Sequence, residues 1–343
     1  MKKNVLVCFV FSLFALSLYA NSNKLCGSKE FLEEVLDSAV PVKNNFDGTA
    51  GANGEYVLFG IWPQSKKADN VKIDTSKSEI INGWSCFKGS DQCYYVKVTA
   101  TPYDDYKFND GTSIKRNNDY YFLLEPIVWR VVTNDYEGGK LLVSDKILSS
   151  GSFGPTSTDR DINGRKIYAN NYVKSNVRAW LNGLNGTDYD VENYSGKGFI
   201  NKAFSVNGIN NIKTVNLDNS AKSTGYSGSD LKKVEKYVCN NTSDKIFLLS
   251  ESEVTNNNYG FADYKDSDKL RRRQTTDYAR ATVAYSNSSS DFLNNGWWWL
   301  RSPNSHYSNF ARGVKFDGDA NSNYSIAGER RAGGFVPALV ISF

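Results

Sequence analysis

The sequence predicts an α+β fold of mixed and antiparallel sheets, with short helices and long loops. Three observations predict it. Strand-like runs rich in Val, Ile, Tyr and Phe fill the first half and return from Trp297 onward. Helical patterns are few and short. Asparagine, which tolerates turns and left-handed backbone, occurs 37 times and clusters between those elements. With 40% hydrophobic residues over 343 positions, the chain suffices for one large core or two ordinary ones.

Residues 1–20 read as a secretory signal: Lys2 and Lys3 precede an apolar run from Val5 to Leu18 and a small-residue exit at Ala20. That run is short of the roughly 20 residues a membrane span needs, and none of that length follows it. The mature chain is therefore expected to be exported, to the periplasm, cell surface or medium, with no transmembrane segment. Residues 21–54 read as an N-terminal helix and linker. The helix is placed at Phe31–Val40 with Ser28 as its N-cap, and the linker at the Gly/Asn stretch from Asn44 to Gly54.

A single domain is expected over 55–343. Strands are predicted at Tyr56–Trp62, Cys93–Thr101, Tyr120–Leu124, Ile127–Thr133 and Lys140–Ser144. A helix follows at Ser175–Asn182, capped by Ser175 and stopped by Gly183. A short helical turn is placed at Phe199–Phe204, a buried strand at Asp244–Ser250, and short helices at Glu251–Val254 and Gln274–Val283. Closing strands are placed at Trp297–Arg301, Ala311–Phe316 and Gly334–Phe343. In the Trp-rich strand, alternation sends Trp298 to one face and Trp297 and Trp299 to the other. Arg301 beside them is expected to anchor a buried carboxylate or backbone carbonyls.

Export makes disulfides available. Cys86 and Cys93 bracket a six-residue loop and are expected to close a hairpin. Cys26 and Cys239 pair only by elimination.

The chemistry is largely a list of exclusions. His306 is the single histidine, and it lies in a polar loop. Histidine-dependent nucleophilic triads and zinc clusters are therefore not expected. No phosphate-binding glycine loop or dinucleotide fingerprint occurs, so no cofactor and no metal are assigned. The even balance of 41 basic and 37 acidic residues argues against a nucleic-acid partner. Arg271–Arg273 and the Asp263/Asp266/Asp268 run read as solvated faces. Carboxylates are plentiful, so an extracytoplasmic carboxylate-dependent hydrolase remains an alternative, as does a structural envelope protein. No catalytic residue stands out.

The distinctive stretch is Ser302–Gly328, rich in Tyr, Ser, Asn and Gly, the composition of adaptable recognition surfaces. Candidate ligand-binding residues are Asn304, His306, Tyr307, Asn309, Phe310, Asn321, Asn323 and Tyr324. They are expected to cluster on one exposed surface that recognises a protein or glycan.

An ordered set of motifs carries a family resemblance. It runs Leu58-Phe59-Gly60-Ile61-Trp62-Pro63-Gln64, Glu125-Pro126-Ile127-Val128-Trp129-Arg130-Val131-Val132, Lys140-Leu141-Leu142-Val143-Ser144 and Val177-Arg178-Ala179-Trp180-Leu181-Asn182. It continues through Lys245-Ile246-Phe247-Leu248-Leu249-Ser250, Thr276-Asp277-Tyr278-Ala279-Arg280-Ala281, Trp298-Trp299-Leu300-Arg301-Ser302-Pro303 and Gly334-Phe335-Val336-Pro337-Ala338-Leu339. Over roughly 55–343 this resembles the uncharacterised bacterial family DUF6273, with Val336 standing where arginine is expected.

The terminal plan of Trp-rich strand, variegated stretch and Gly-Phe strand is similar to a C-type-lectin-like domain of the formylglycine-generating-enzyme type. The resemblance implies a display fold, of the kind that variable proteins of diversity-generating retroelements use. Adenine mutagenesis there yields codons that exclude Lys, Glu, Gln, Met and Trp, and between Ser302 and Gly328 only Lys315 departs from that rule. The oxidase activity does not carry over, because no cysteine lies beyond Cys239. Calcium-dependent sugar binding does not carry over either, because no Glu-Pro-Asn or Gln-Pro-Asp tripeptide occurs.

Overall fold

The computed structural model describes residues 28–42, 55–186, 191–326 and 333–342. The signal segment, Cys26 and the 44–54 linker lie outside the described residues. Helix α1 spans Lys29–Asp37, and its first turn is closed by the Ser28 hydroxyl accepting from the Phe31 N–H. It buries Leu32, Val35 and Leu36 against strand β2 (Tyr56–Lys66), beside the short β1 (Val40–Val42). Strands β3 (Glu79–Ile81), β4 (Trp84–Lys88), β5 (Tyr94–Thr99), β6 (Asp119–Tyr136) and β7 (Gly139–Ser144) follow. The two strands expected at Tyr120–Leu124 and Ile127–Thr133 are one. Pro126 does not break it, because irregular pairing with β2 on either side accommodates a residue that has no N–H to donate.

Strand β8 (Ser149–Gly151) and a hairpin of β9 (Arg160–Ile162) and β10 (Arg165–Ile167) lead to α2 (Asn176–Asn182). Ser175 caps α2, and Gly183, with φ +61°, stops it in the left-handed conformation as the sequence predicts. Then come α3 (Phe199–Ala203), α4 (Val206–Asn211), β11 (Ile212–Lys213), β12 (Val215–Leu217), α5 (Gly228–Val234), β13 (Thr242–Asp244), β14 (Ile246–Phe247) and α6 (Glu251–Val254). The expected strand at Asp244–Ser250 is shorter than predicted. Leu248 and Leu249 are buried, and the chain turns at Ser250 into the capping box of α6, which Ser250 and Glu253 form. The last elements are β15 (Arg273–Gln274), α7 (Asp277–Ala281), β16 (Asn295–Gly296), β17 (Trp298–Pro303), β18 (Phe310–Val314), β19 (Ser322–Ser325), β20 (Gly333–Phe335) and β21 (Ala338–Ile341).

Two sheets organise these strands. The larger, of ten strands, runs β11-β21-β7-β6-β5-β4-β3, with β2 on β6, β1 on β2 and β14 on β21. The smaller runs β19-β18-β17-β20-β8, antiparallel except where β17 meets β20. The architecture is thus α+β with mostly antiparallel sheets and short helices. One apolar cluster joins both sheets and contains Trp129, Trp298 and Trp299, all fully buried, with Trp180 half-buried against it. Trp62 sits inside an aromatic nest, its ring 5.0 Å from Trp84, 5.9 Å from Trp180 and 5.0 Å from Phe199. Val336 is fully buried in the same cluster.

The disulfide expectations are overturned. Cys86 and Cys239 carry free thiols, so neither the Cys86–Cys93 nor the Cys26–Cys239 bridge is formed. The register explains the first. Cys86 pairs with Val96, whereas Cys93 lies opposite Gly89, whose N–H it accepts at 2.8 Å. Three residues of strand separate Cys86 from Gly89, about 10 Å at a rise of about 3.3 Å per residue, beyond the ~7 Å a disulfide spans. The two side chains also enter different apolar clusters. Burial pushes the Cys86 thiol up to about 12.

The arginine run is likewise not a solvated face. Arg271 and Arg273 are buried. Arg271 donates to the carbonyls of Gly318, Val254 and Ala262, and Arg273 donates to those of Ser144 and Leu270. Asp268, also buried, accepts from the Ala262 and Leu270 N–H groups.

Candidate functional site

The variegated stretch is not one loop. It is the β17–β18 connection, the buried strand β18, a second connection and β19. Strand alternation therefore distributes the eight candidate residues over two faces. Tyr324 pairs with Ala311 and lies on the face of Trp297 and Trp299. Its ring stacks on Trp297 at 3.8 Å over Gly313, where a Cβ would stand 2.8 Å from the tyrosine ring. Asn323 pairs with Arg312 and lies on the opposite face. The expectation of a single exposed cluster is corrected to that extent.

Arg312 organises that second face. It is fully buried, and its guanidinium meets both oxygens of the buried Glu251 at 2.6 and 2.9 Å. It also donates to the side-chain oxygens of Asn321 and Asn323, at 3.1 and 3.0 Å. Asn304 Nδ2 donates to the same Asn323 oxygen at 2.7 Å. Lys265 adds a second cation on Glu251 at 2.6 Å. Three of the predicted ligand amides thus act as hydrogen-bonded staples of the hairpin, while Asn321 and Asn323 stay exposed as expected. Asn304 itself is buried, a further correction. Next to this network, Arg301 meets Glu253 at 2.5 and 2.9 Å, which is the buried carboxylate expected of it. Burial pushes the Glu253 carboxyl up, but the Arg301 charge and its hydrogen bonds outweigh that and hold it below the usual range.

The remaining candidates look outward from the β17–β18 connection. Asn304 Oδ1 accepts from the N–H groups of His306 and Tyr307 at 2.7 and 2.8 Å, an Asx turn. Asn170 Nδ2 donates from beneath to the carbonyls of Tyr307 and Phe310 at 3.2 and 3.0 Å, and Tyr237 Oη donates to the His306 carbonyl at 2.8 Å. On this pinned turn His306 is exposed, Tyr307 is 63% exposed, and Asn309 and Phe310 are half-buried. The Tyr307 ring lies 6.1 Å from Phe310 and 6.3 Å from His306. His306 Nε2 is 3.1 Å from Lys233 Nζ.

A cleft of about 590 Å³ lies between the β9–β10 hairpin and the segments 171–174 and 238–240. It shares a border with the turn: Tyr168 follows β10, and its ring packs edge-on at 5.0 Å against Tyr237, the residue that holds the His306 carbonyl. Sequence reasoning missed Asn170, Tyr237 and Glu251 as the framework of this region, because they come from segments 61 to 140 residues away. Arg312 was legible as a charge inside an apolar strand pattern, Phe-Ala-Arg-Gly-Val. Among the described residues, no group of three or more His, Cys, Asp or Glu side chains is placed to hold a metal ion. No helix of the described residues is long and apolar enough to cross a membrane.

A family model described as a domain of unknown function, DUF6273, matches residues 137–342. No curated protein and no solved structure matches the chain.

Proposed function

The chain belongs to the DUF6273 family, and we propose that it is an exported binding or display module that recognises a protein or glycan through the turn bearing His306, Tyr307, Asn309 and Phe310. The observation that carries this reading is an exposed aromatic ring on a backbone fixed by three buried or half-buried side chains, Asn304, Asn170 and Tyr237. Rings held rigidly bind with little ordering cost, and a few aromatic anchors dominate the affinity of such surfaces. Asn321, Asn323 and Tyr324 act as supports for that turn and its sheet. A C-type-lectin-like core of the retroelement-variable type belongs to the same proposal. It is supported by the order of Trp-rich strand, variegated stretch and Gly-Phe strand.

Tyr307→Ala combined with Phe310→Ala should abolish binding on arrays of proteins and glycans from the native host, with near-UV circular dichroism unchanged. Retained binding, or a variant that fails to fold, sinks the reading. Export is tested separately. N-terminal sequencing of the native protein should find residues 1 to about 20 removed, and an intact Met1 would refute it.

A further inference from the structure

We propose that the cleft beside this turn holds one acidic sugar unit of a glycan, with the sugar carboxylate on Arg165. The inference rests on the binding-module reading and narrows its ligand class. At about 590 Å³ the cleft falls within the roughly 300–1,000 Å³ of small-ligand sites.

Its electrostatics come from the β9–β10 hairpin. The Asn163-Gly164 turn has φ +54° and +73°, the signature of a tight two-residue hairpin. Alternation from that turn sends Arg165 and Ile167 into the cleft. Lys166 points away and pairs with Asp159 at 2.9 Å. The Arg165 guanidinium is exposed and makes no ion pair among the described residues. Among the described residues, no aspartate or glutamate lines the cleft. A carboxylate matches this charge, and the planar guanidinium fork can take it in two parallel hydrogen bonds.

The rest of the lining suits a sugar ring. Ile162, Ile167 and Val238 provide apolar wall. The side-chain amides of Asn163 and Asn240 make no hydrogen bond among the described residues, so each has a donor and an acceptor to offer hydroxyls. A chain continuing from this unit would cross the Tyr168–Tyr237 border toward Tyr307.

The test uses the mature protein with three probes, oligogalacturonate, a hyaluronan oligosaccharide and oligosialic acid, followed by calorimetry. At least one should bind, with affinity that falls as salt rises. Its methyl ester, the same sugar without the charge, should bind at least tenfold more weakly. Arg165→Gln should lose a similar factor while its melting temperature stays unchanged. Cys239, a half-buried thiol in the cleft wall, should be alkylated more slowly in the complex. The inference is overturned if none of the three binds, if the ester binds equally, if Arg165→Gln keeps full affinity, or if polyglutamate competes as well as the glycan. Should the Tyr307/Phe310 double variant lose array binding while all three glycans stay inert, the turn is the binding surface and the cleft is not. Glycan binding that depends on Arg165 and survives the double variant locates recognition in the cleft instead.

Discussion

The two sheets are held together by different physics. In the ten-stranded sheet, β2, β6 and β7 bury near-continuous apolar runs, interrupted in mid-β6 by Glu125 and by Arg130, which pairs with the buried Asp145. Around the five-stranded sheet, charge is buried. Arg301 is paired with Glu253 and Arg312 with Glu251, while Arg271 is spread over backbone carbonyls. Apolar packing degrades by degrees, because neighbours relax into a cavity. A buried ion pair fails as a unit, because removing one partner strands the other without solvent. The variegated stretch sits directly on the brittle kind of support. Its hydrogen-bonded residues, Asn304, Asn321, Asn323 and Arg312, are constrained, whereas Tyr307 and His306 can change at small cost to the fold.

The sharpest way to break this comparison is Glu251→Ala. It leaves Arg312 and Lys265 without their carboxylate, and the expected loss is about 3–5 kcal/mol, read from the midpoint of urea unfolding. A loss below ~1 kcal/mol would mean that the network is ornamental and that the five-stranded sheet does not depend on it. In the larger sheet, Trp129→Ala should cost a comparable 3–5 kcal/mol through its cavity and the lost bond from its indole N–H to the Phe59 carbonyl, 2.7 Å long. The two variants should differ in how they are rescued. Adding Arg312→Leu to Glu251→Ala should recover part of the loss, and no polar change should do so for Trp129→Ala. An unaltered melting temperature for Trp129→Ala would mean that the core lies elsewhere.

The smallest effect is in pH. Glu253 has a folded-state value below its unfolded one. Its contribution is therefore fully present above the unfolded value near 4.3 and is lost as pH falls through the folded value. Urea midpoints measured from pH 7 down to pH 3 should fall in the wild type, and the slope should be shallower in Glu253→Gln. Equal slopes in the two proteins would assign the acid sensitivity to other carboxylates.

The sequence by itself determined the local elements. Ser28 and Ser175 as caps, Gly183 as a stop and the alternation of Trp297, Trp298 and Trp299 all depend on contacts a few residues apart, and periodicity or side-chain chemistry reveals such contacts. It also determined that Arg301 needs a buried partner, because a guanidinium beside three tryptophans has few other fates. Only the tertiary structure decided what depends on register and on distant segments. Pairing Cys86 with Val96 rather than Cys93 is a matter of where two strands align, and a slip of one residue would change every neighbour. The tethering of Asn321 and Asn323, and of Asn304 through Asn323, depends on Arg312, which depends in turn on Glu251, 61 residues earlier in the chain. Composition marked all eight candidate residues as surface-forming. Whether each amide faced a ligand or a buried guanidinium was decided by desolvation: an arginine taken out of water draws in every acceptor within reach.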